Sequence, residues 1–271
     1  MREPPTNARQ RGFTLVELLV ALGIFLLITG AAFTLLSSSQ QRFQTDTQVL
    51  TSFQEARLGL DQIVRDINDS GYPPRTFNGG FPNNYASAPF AWSPGYPTLN
   101  PCTVGVSCIT PGAWDIIVET NPNPQDVSCG NTCVQWIRYQ LQGTTLFRGV
   151  VYKSATDDPA VDTSAAGILV PFVLNVVNNS CPTQLPTCQS AYPGLFPGGN
   201  PVPIFTYVCD TPTAPQSPAP LCSSAGADNS PANIRDVTVT LIVAAPLPDA
   251  SSGFPRLVML NGRGRRVNPS Q

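Results

Sequence analysis

Arg11-Gly12-Phe13-Thr14-Leu15-Val16-Glu17-Leu18-Leu19-Val20 opens an apolar run that continues to Leu36 and decides how the rest of the chain is read. From Phe13 to Leu36 there is no proline and a single charge, Glu17. At about 1.5 Å per residue, a helix over this run reaches roughly 36 Å, enough to cross a hydrocarbon core of roughly 30 Å. Arg2, Arg9 and Arg11 precede it against Glu3 alone. That positive excess keeps the N-terminus cytoplasmic and sends the remainder across. Two details separate the run from a plain signal anchor. Glu17 sits near one end of the span; a lone carboxylate costs about 2.5–3.5 kcal/mol at the centre of a span and less toward its end, so a charge here calls for a partner. Gly12-Phe13 lies ahead of the apolar stretch, whereas a secretory signal peptide carries a small-residue cleavage site behind a shorter apolar core. Ala31-Ala32 is a poor version of such a site.

The segment Arg11-Gly12-Phe13-Thr14-Leu15-Val16-Glu17-Leu18 resembles the class III signal of type IV pilins and of the pseudopilins of type II secretion. The resemblance implies that a membrane aspartyl peptidase, the prepilin peptidase, cuts after Gly12 and methylates the new N-terminus at Phe13. It also implies that Glu17 pairs with the N-terminal amine of a neighbouring subunit during assembly. The expected organisation is a leader over 1–12, a transmembrane or filament-core half-helix over 13–39, an amphipathic half-helix over 40–71, and an exported β-rich domain over 72–271.

Within the second half-helix, Val49, Phe53, Ala56, Leu60, Ile63 and Ile67 recur at steps of four and three, which is one helical face. Glu55, Arg57, Asp61, Arg65 and Asp66 fall mainly on the others, with Arg57–Asp61 and Asp61–Arg65 as i,i+4 pairs. Asn68-Asp69-Ser70-Gly71 and Pro73-Pro74 stop the helix. Gly23 and Gly30 in the first half permit close packing against other helices. The segment from Ala56 to Tyr72 also resembles the helix end of PilW-type minor pilins.

The 271 residues include 29 prolines and 21 glycines, and only 12% are charged, so the exported part is rich in turns and extended segments. Losing three arginines and one glutamate with the leader takes the net charge from −2 to −4, which does not describe a generally nucleic-acid-binding protein. Eight cysteines in an exported chain read as disulfides. They fall as Cys102/Cys108, Cys129/Cys133, Cys181/Cys188 and Cys209/Cys222, each bracketing a short turn-rich segment. Nearest-neighbour pairing is expected among the roughly one hundred connectivities that eight cysteines allow. Zinc is the rival reading, but Cys-x2-Cys knuckles and histidines are both absent from the sequence.

Strand patterns begin at Ala113–Glu119. The segments Val134–Leu141 and Thr145–Tyr152 follow as a hairpin turned at Gln142-Gly143. That hairpin resembles the Tyr-x-Leu…Gly…Leu-Phe/Tyr-Arg hairpin common in J-type pseudopilins and PilW-type pilins. Gly167–Val177 is apolar, with Pro171 marking an edge or bend; Pro203–Cys209, Ile234–Val243 and Arg256–Leu260 complete the strands. Between helix and strands, Pro73–Gly112 spreads Phe77, Phe81, Tyr85, Phe90, Trp92 and Tyr96 among turn residues, an ordered loop pinned to the sheet or a surface for glycan or protein.

No histidine, nucleophile elbow or phosphate-binding loop is present, so no catalysis and no cofactor are expected. Asp157, Asp158 and Asp162 read as a solvated loop before a calcium site. Arg263-Gly264-Arg265-Arg266 reads as a short exposed basic tail, with DNA or anionic lipid as its weaker alternative. The fold expected is α+β: a long N-terminal helix laid across an antiparallel sheet with disulfide-stapled loops. The function implied is that of a minor pilin, held in the inner membrane with its domain exported and then carried to the pilus. Its partners would be other pilin subunits, the assembly machinery, the prepilin peptidase and, before assembly, lipid. A minor pseudopilin, or a pilus-tip adhesin or DNA-uptake subunit, is the alternative.

Overall fold

The structure, a computed structural model, describes residues 14–71, 90, 111–123, 133–153, 159–180, 191–209, 222, 233–249 and 252–266. The chain divides into two units, Met1–Thr47 and Gln48–Gln271. Helix α1 (Leu15–Asn68) belongs to the first unit through Thr47 and to the second from Gln48 onward.

The second unit holds two antiparallel sheets. β1 (Asp115–Thr120), β2 (Gln135–Gln142), β3 (Thr145–Tyr152) and β4 (Val170–Val173) form one in that order. β5 (Phe205–Cys209), β6 (Ile234–Pro248) and β7 (Pro255–Arg265) form the other. The α+β class is as the sequence indicates, but the single expected sheet is two. The apolar stretch Gly167–Val177 accounts for the division. Its residues 170–173 pair with β3, with Pro171 on the sheet edge where a missing N–H is tolerated. Asn175 then takes a positive φ of 58°, and Val176 bridges Val243 of β6, so one apolar stretch serves both sheets. Asn178 secures the crossing: its side-chain amide donates to Thr240 O at 2.8 Å and accepts from Ile242 N at 2.7 Å.

The helical face read from the sequence is the buried one. Ala56, Leu60, Ile63 and Ile67 enter a common core with Ile137, Tyr139 and Leu141 of β2 and Val237, Val239 and Leu241 of β6. Each such large side chain contributes about 1.5–3 kcal/mol on burial. The helix lies almost on strand backbone. A Cβ added to Gly264 of β7 would stand 2.4 Å from Ile67 Cγ2, and one on Gly59 of α1 would stand 2.5 Å from Val173 Cγ2 of β4. Gly264→Val should therefore destabilise the protein by about 1–3 kcal/mol, since Ile67 Cβ is itself close and cannot rotate away. Chemical denaturation of the mature protein in detergent measures this; an unchanged midpoint would show that helix and strand are not in contact.

Two sequence expectations fail in this region. The basic run is not a tail: β7 extends through Arg265, and Arg265 N donates to Asn68 Oδ1 at 2.8 Å. A Gly-rich basic run resembles a solvated end, yet its glycines are what admit the helix. Asp66, read as solvent-facing, is buried at 6% exposure. Its Oδ2 accepts from Tyr139 Oη at 2.5 Å and Arg148 Nη2 at 3.0 Å, and its Oδ1 from Gln62 Nε2 at 2.7 Å. Arg148 Nε also donates to Tyr139 Oη at 3.0 Å. The β2–β3 hairpin is thus tied to the end of α1 by a closed polar latch.

Tyr139 ionises far above the usual phenol range, because it is buried and, next, because the Asp66 charge faces it. Burial, with Asp115 second, raises Tyr207 in the same way. Both protons are held more tightly in the folded state than in the unfolded one. The stability they confer is complete below about pH 10 and is lost as the pH rises above the ordinary tyrosine value. Of the seven tyrosines, these two should stay silent in an ultraviolet titration until the protein unfolds. Smooth titration of all seven near pH 10 in folded protein would contradict it.

The opposite face of the first sheet is covered by α2 (Pro159–Asp162) and its flanks. Arg138 grips Asp115 with two hydrogen bonds, Nε to Oδ1 at 3.0 Å and Nη2 to Oδ2 at 2.5 Å, and donates through Nη1 to Ala160 O at 2.9 Å. Phe90, from the aromatic loop, is fully buried and bridges Val118, which pins that point of the chain to β1. Phe77, Phe81, Tyr85, Trp92 and Tyr96 lie outside the described residues, as do Asp157 and Asp158.

Candidate functional site

The first unit presents a chemistry that water does not favour. Every Leu, Ile, Val and Phe from Leu15 to Leu36 is at least 52% exposed, whereas apolar patches beyond a few hundred Å² ordinarily mark a membrane or a partner. Two hydroxyl side chains along this part of α1 bond to their own helix. Thr34 Oγ1 donates to Ala31 O at 2.7 Å, and Ser38 Oγ to Leu35 O at 3.0 Å. Such back-bonding removes the need for water and suits a helix surrounded by lipid or by other helices. A Cβ at Gly23 or Gly30 would meet nothing within 4 Å, so both leave open surface for close approach.

Thr14 precedes the first helical residue and Glu17 stands three positions later. Thr14 N and Thr14 Oγ1 both donate to Glu17 Oε2, at 2.9 and 3.0 Å, while Glu17 N donates to Thr14 Oγ1 at 3.3 Å. This is a reciprocal capping box, which satisfies otherwise orphaned N–H groups at the helix start. A carboxylate at this end is also favoured by the helix dipole. The Thr14-x-x-Glu17 spacing is the signal of this box in the sequence. Only Oε2 is engaged in these bonds, so the carboxylate retains acceptor capacity for a further donor.

Gly12 and Phe13 lie outside the described residues, as do Cys102, Cys108, Cys129, Cys181 and Cys188. Cys209 and Cys222 are bonded, with Cα atoms 4.8 Å apart, and Cys133 is disulfide-bonded as well. Cys222 N also donates to Tyr207 O at 3.4 Å, so the bridge holds Cys222 beside β5. Among the described residues no group of three or more metal-ligating side chains converges.

Residues 7–33 match the family described as "Prokaryotic N-terminal methylation motif". The chain carries this motif. The match takes in Gly12, Phe13 and Glu17 and ends inside the exposed apolar stretch. Among solved structures, the chain is similar to a type IV-like pilin from Thermus thermophilus, at 10% identity and a TM-score of 0.38, over 80% of this chain and 96% of that one. No curated protein sequence matches. A methylation motif followed by an exposed apolar helix fits membrane anchoring before assembly and supports a pilin-type structural subunit.

Proposed function

We propose that this chain is a minor pilin of the PilW type, a structural and non-catalytic subunit. It enters a type IV pilus through its N-terminal helix after the prepilin peptidase removes residues 1–12 and methylates Phe13. The observation that carries the reading is the exposed apolar surface of Leu15–Leu36, with Glu17 as its one charge, immediately behind the expected cut. In the membrane that surface is covered by lipid; in a filament it is covered by the same stretch of neighbouring subunits, and van der Waals packing replaces acyl chains. Glu17 gains the methylated amine of a neighbour's Phe13, which offsets the cost of holding a carboxylate among apolar side chains. The work of extraction comes from the inner-membrane assembly machinery.

Gly12 is small enough to let the chain enter a peptidase site in extended form. Gly12→Arg should abolish processing, leaving the full-length protein in the membrane and none in the filament fraction. Intact-mass measurement on membrane extracts reads this directly. Normal processing of Gly12→Arg, or a mature terminus near Ala32 in the unaltered chain, would overturn the reading.

A further inference from the structure

Each sheet of the second unit ends in edge strands, and an edge offers a row of main-chain N–H and C=O groups to any further strand. At β1, Phe90 bridges Val118, and Gly71 N donates to Glu119 O at 2.9 Å. At β5, Cys222 N donates to Tyr207 O at 3.4 Å. β4 is short and carries Pro171, which has no N–H to offer. β7 is different. It runs for 11 residues, and its pairing with β6 is unbroken from Leu257 to Arg265.

Which groups of β7 face outward follows from β6. Thr240 N donates to Ile204 O, Ile242 N to Asn178 Oδ1 and Ala244 N to Asn175 O, so these residues turn their main chain away from β7. Residues directly opposite one another in an antiparallel pair either exchange hydrogen bonds or both face away. The partners Asn261, Met259 and Leu257 therefore point their N–H and C=O groups to the outer edge. The alternation continues through Arg263 to Arg265, whose N–H goes to Asn68 Oδ1 at 2.8 Å and not to β6. Among the described residues, no hydrogen bond reaches the main chain of Leu257, Met259, Asn261 or Arg263 from that side.

The side chains of these residues change character along the edge. Leu257 and Met259 are half-buried in an apolar cluster with Ile242 and Phe196. Arg263 and Arg265 are 65% and 55% exposed, and Asp236 of β6 orients Arg263 from 2.6 Å. On the opposite face α1 lies against Gly262 and Gly264. We propose that the outer edge of β7 takes an extended acidic segment of a partner protein as a further antiparallel strand. Apolar residues of that segment stand opposite Leu257 and Met259, and a carboxylate stands opposite Arg263. Main-chain hydrogen bonds supply the affinity, and alternate side chains select the segment. Charge complementarity disfavours a second copy as the occupant. β7 laid antiparallel on β7 over this length sets Arg263 against Leu257, a cation on the apolar end. The surface belongs to the second unit alone and does not depend on the filament reading.

The test is fluorescence anisotropy of a labelled synthetic peptide with the mature full-length protein in nonionic detergent. The peptide is Glu-Thr-Glu-Thr-Thr-Val-Val-Thr-Val, read from the residue opposite Arg265 to the one opposite Leu257. Saturable binding is expected. N-methylation of the peptide residues opposite Met259, Asn261 and Arg263 should weaken it about tenfold or more, because each methyl removes a hydrogen bond to β7. N-methylation of the intervening residues, whose N–H groups point away, should change it by less than about threefold. Asn261→Pro deletes one outward N–H, leaves the β6 ladder intact and should weaken binding about fivefold. Lysine for both glutamates should weaken it about tenfold at low salt, and the difference should shrink as salt is added. Absence of saturable binding up to about 1 mM peptide would overturn the proposal whatever the variants do. So would equal losses from the two methylated sets, which would place the peptide on a face and not at the edge. Tighter binding by a peptide of Pro255–Arg265 would overturn it in favour of a second copy.

Discussion

Asp66→Ala should cost the mature protein about 3–5 kcal/mol of folding free energy. The carboxylate satisfies the buried Tyr139 hydroxyl, Arg148 and Gln62 at once, and its removal leaves a guanidinium that is only 26% exposed without its anion. Tyr139→Phe should cost less, about 1–2 kcal/mol, because Asp66 keeps Arg148. Combining Asp66→Ala with Arg148→Leu should cost less than the two changes added, since neither partner is then stranded. Denaturant unfolding in detergent gives all the values. A loss below about 1 kcal/mol for Asp66→Ala would mean that the latch is no more than a surface ion pair.

At the other end of α1, Glu17→Ala should leave processing and membrane insertion intact and still lower the ratio of filament to membrane protein by about tenfold or more, the equivalent of about 1.4 kcal/mol. The neighbour's amine would be buried without a counter-charge, and the Thr14 cap would be lost with it. Glu17→Gln should fall between, because its amide oxygen can still accept from Thr14 while the charge is gone. Snorkelling is the competing explanation for a carboxylate near the membrane edge, and it predicts equal ratios in all three proteins because glutamate would then make no assembly contact. Equal ratios would also mean that recruitment works through the second unit.

Much of the architecture was legible because periodicity is a local property. Leu60, Ile63 and Ile67 announce a helical face, and the Val134–Tyr152 hairpin announces itself by alternation around Gly143. What joins these elements was not legible. Asp66 meets Tyr139 and Arg148 across separations of 73 and 82 residues, and on the helix alone it looks like one more charge among Asp61 and Arg65. The Tyr and Arg of the hairpin were visible as a pattern, yet only the structure shows that they share one carboxylate. The division into two sheets escaped for a related reason: an apolar stretch such as Gly167–Val177 reads as one strand even when a proline and a left-handed Asn175 split it between two partners. In the candidate site, the motif around Gly12, Phe13 and Glu17 was legible residue by residue, because the methylation motif over residues 7–33 is itself a run of local sequence.

The filament itself is where the proposed role is tested most directly. Intact mass and N-terminal fragmentation of this protein, recovered from sheared filaments and separately from membranes, measure it. The expected result is one species in the filaments, beginning at an N-methylated Phe13, with the same species awaiting assembly in the membrane. A filament fraction without the chain, or a chain there that still begins at Met1, would contradict it.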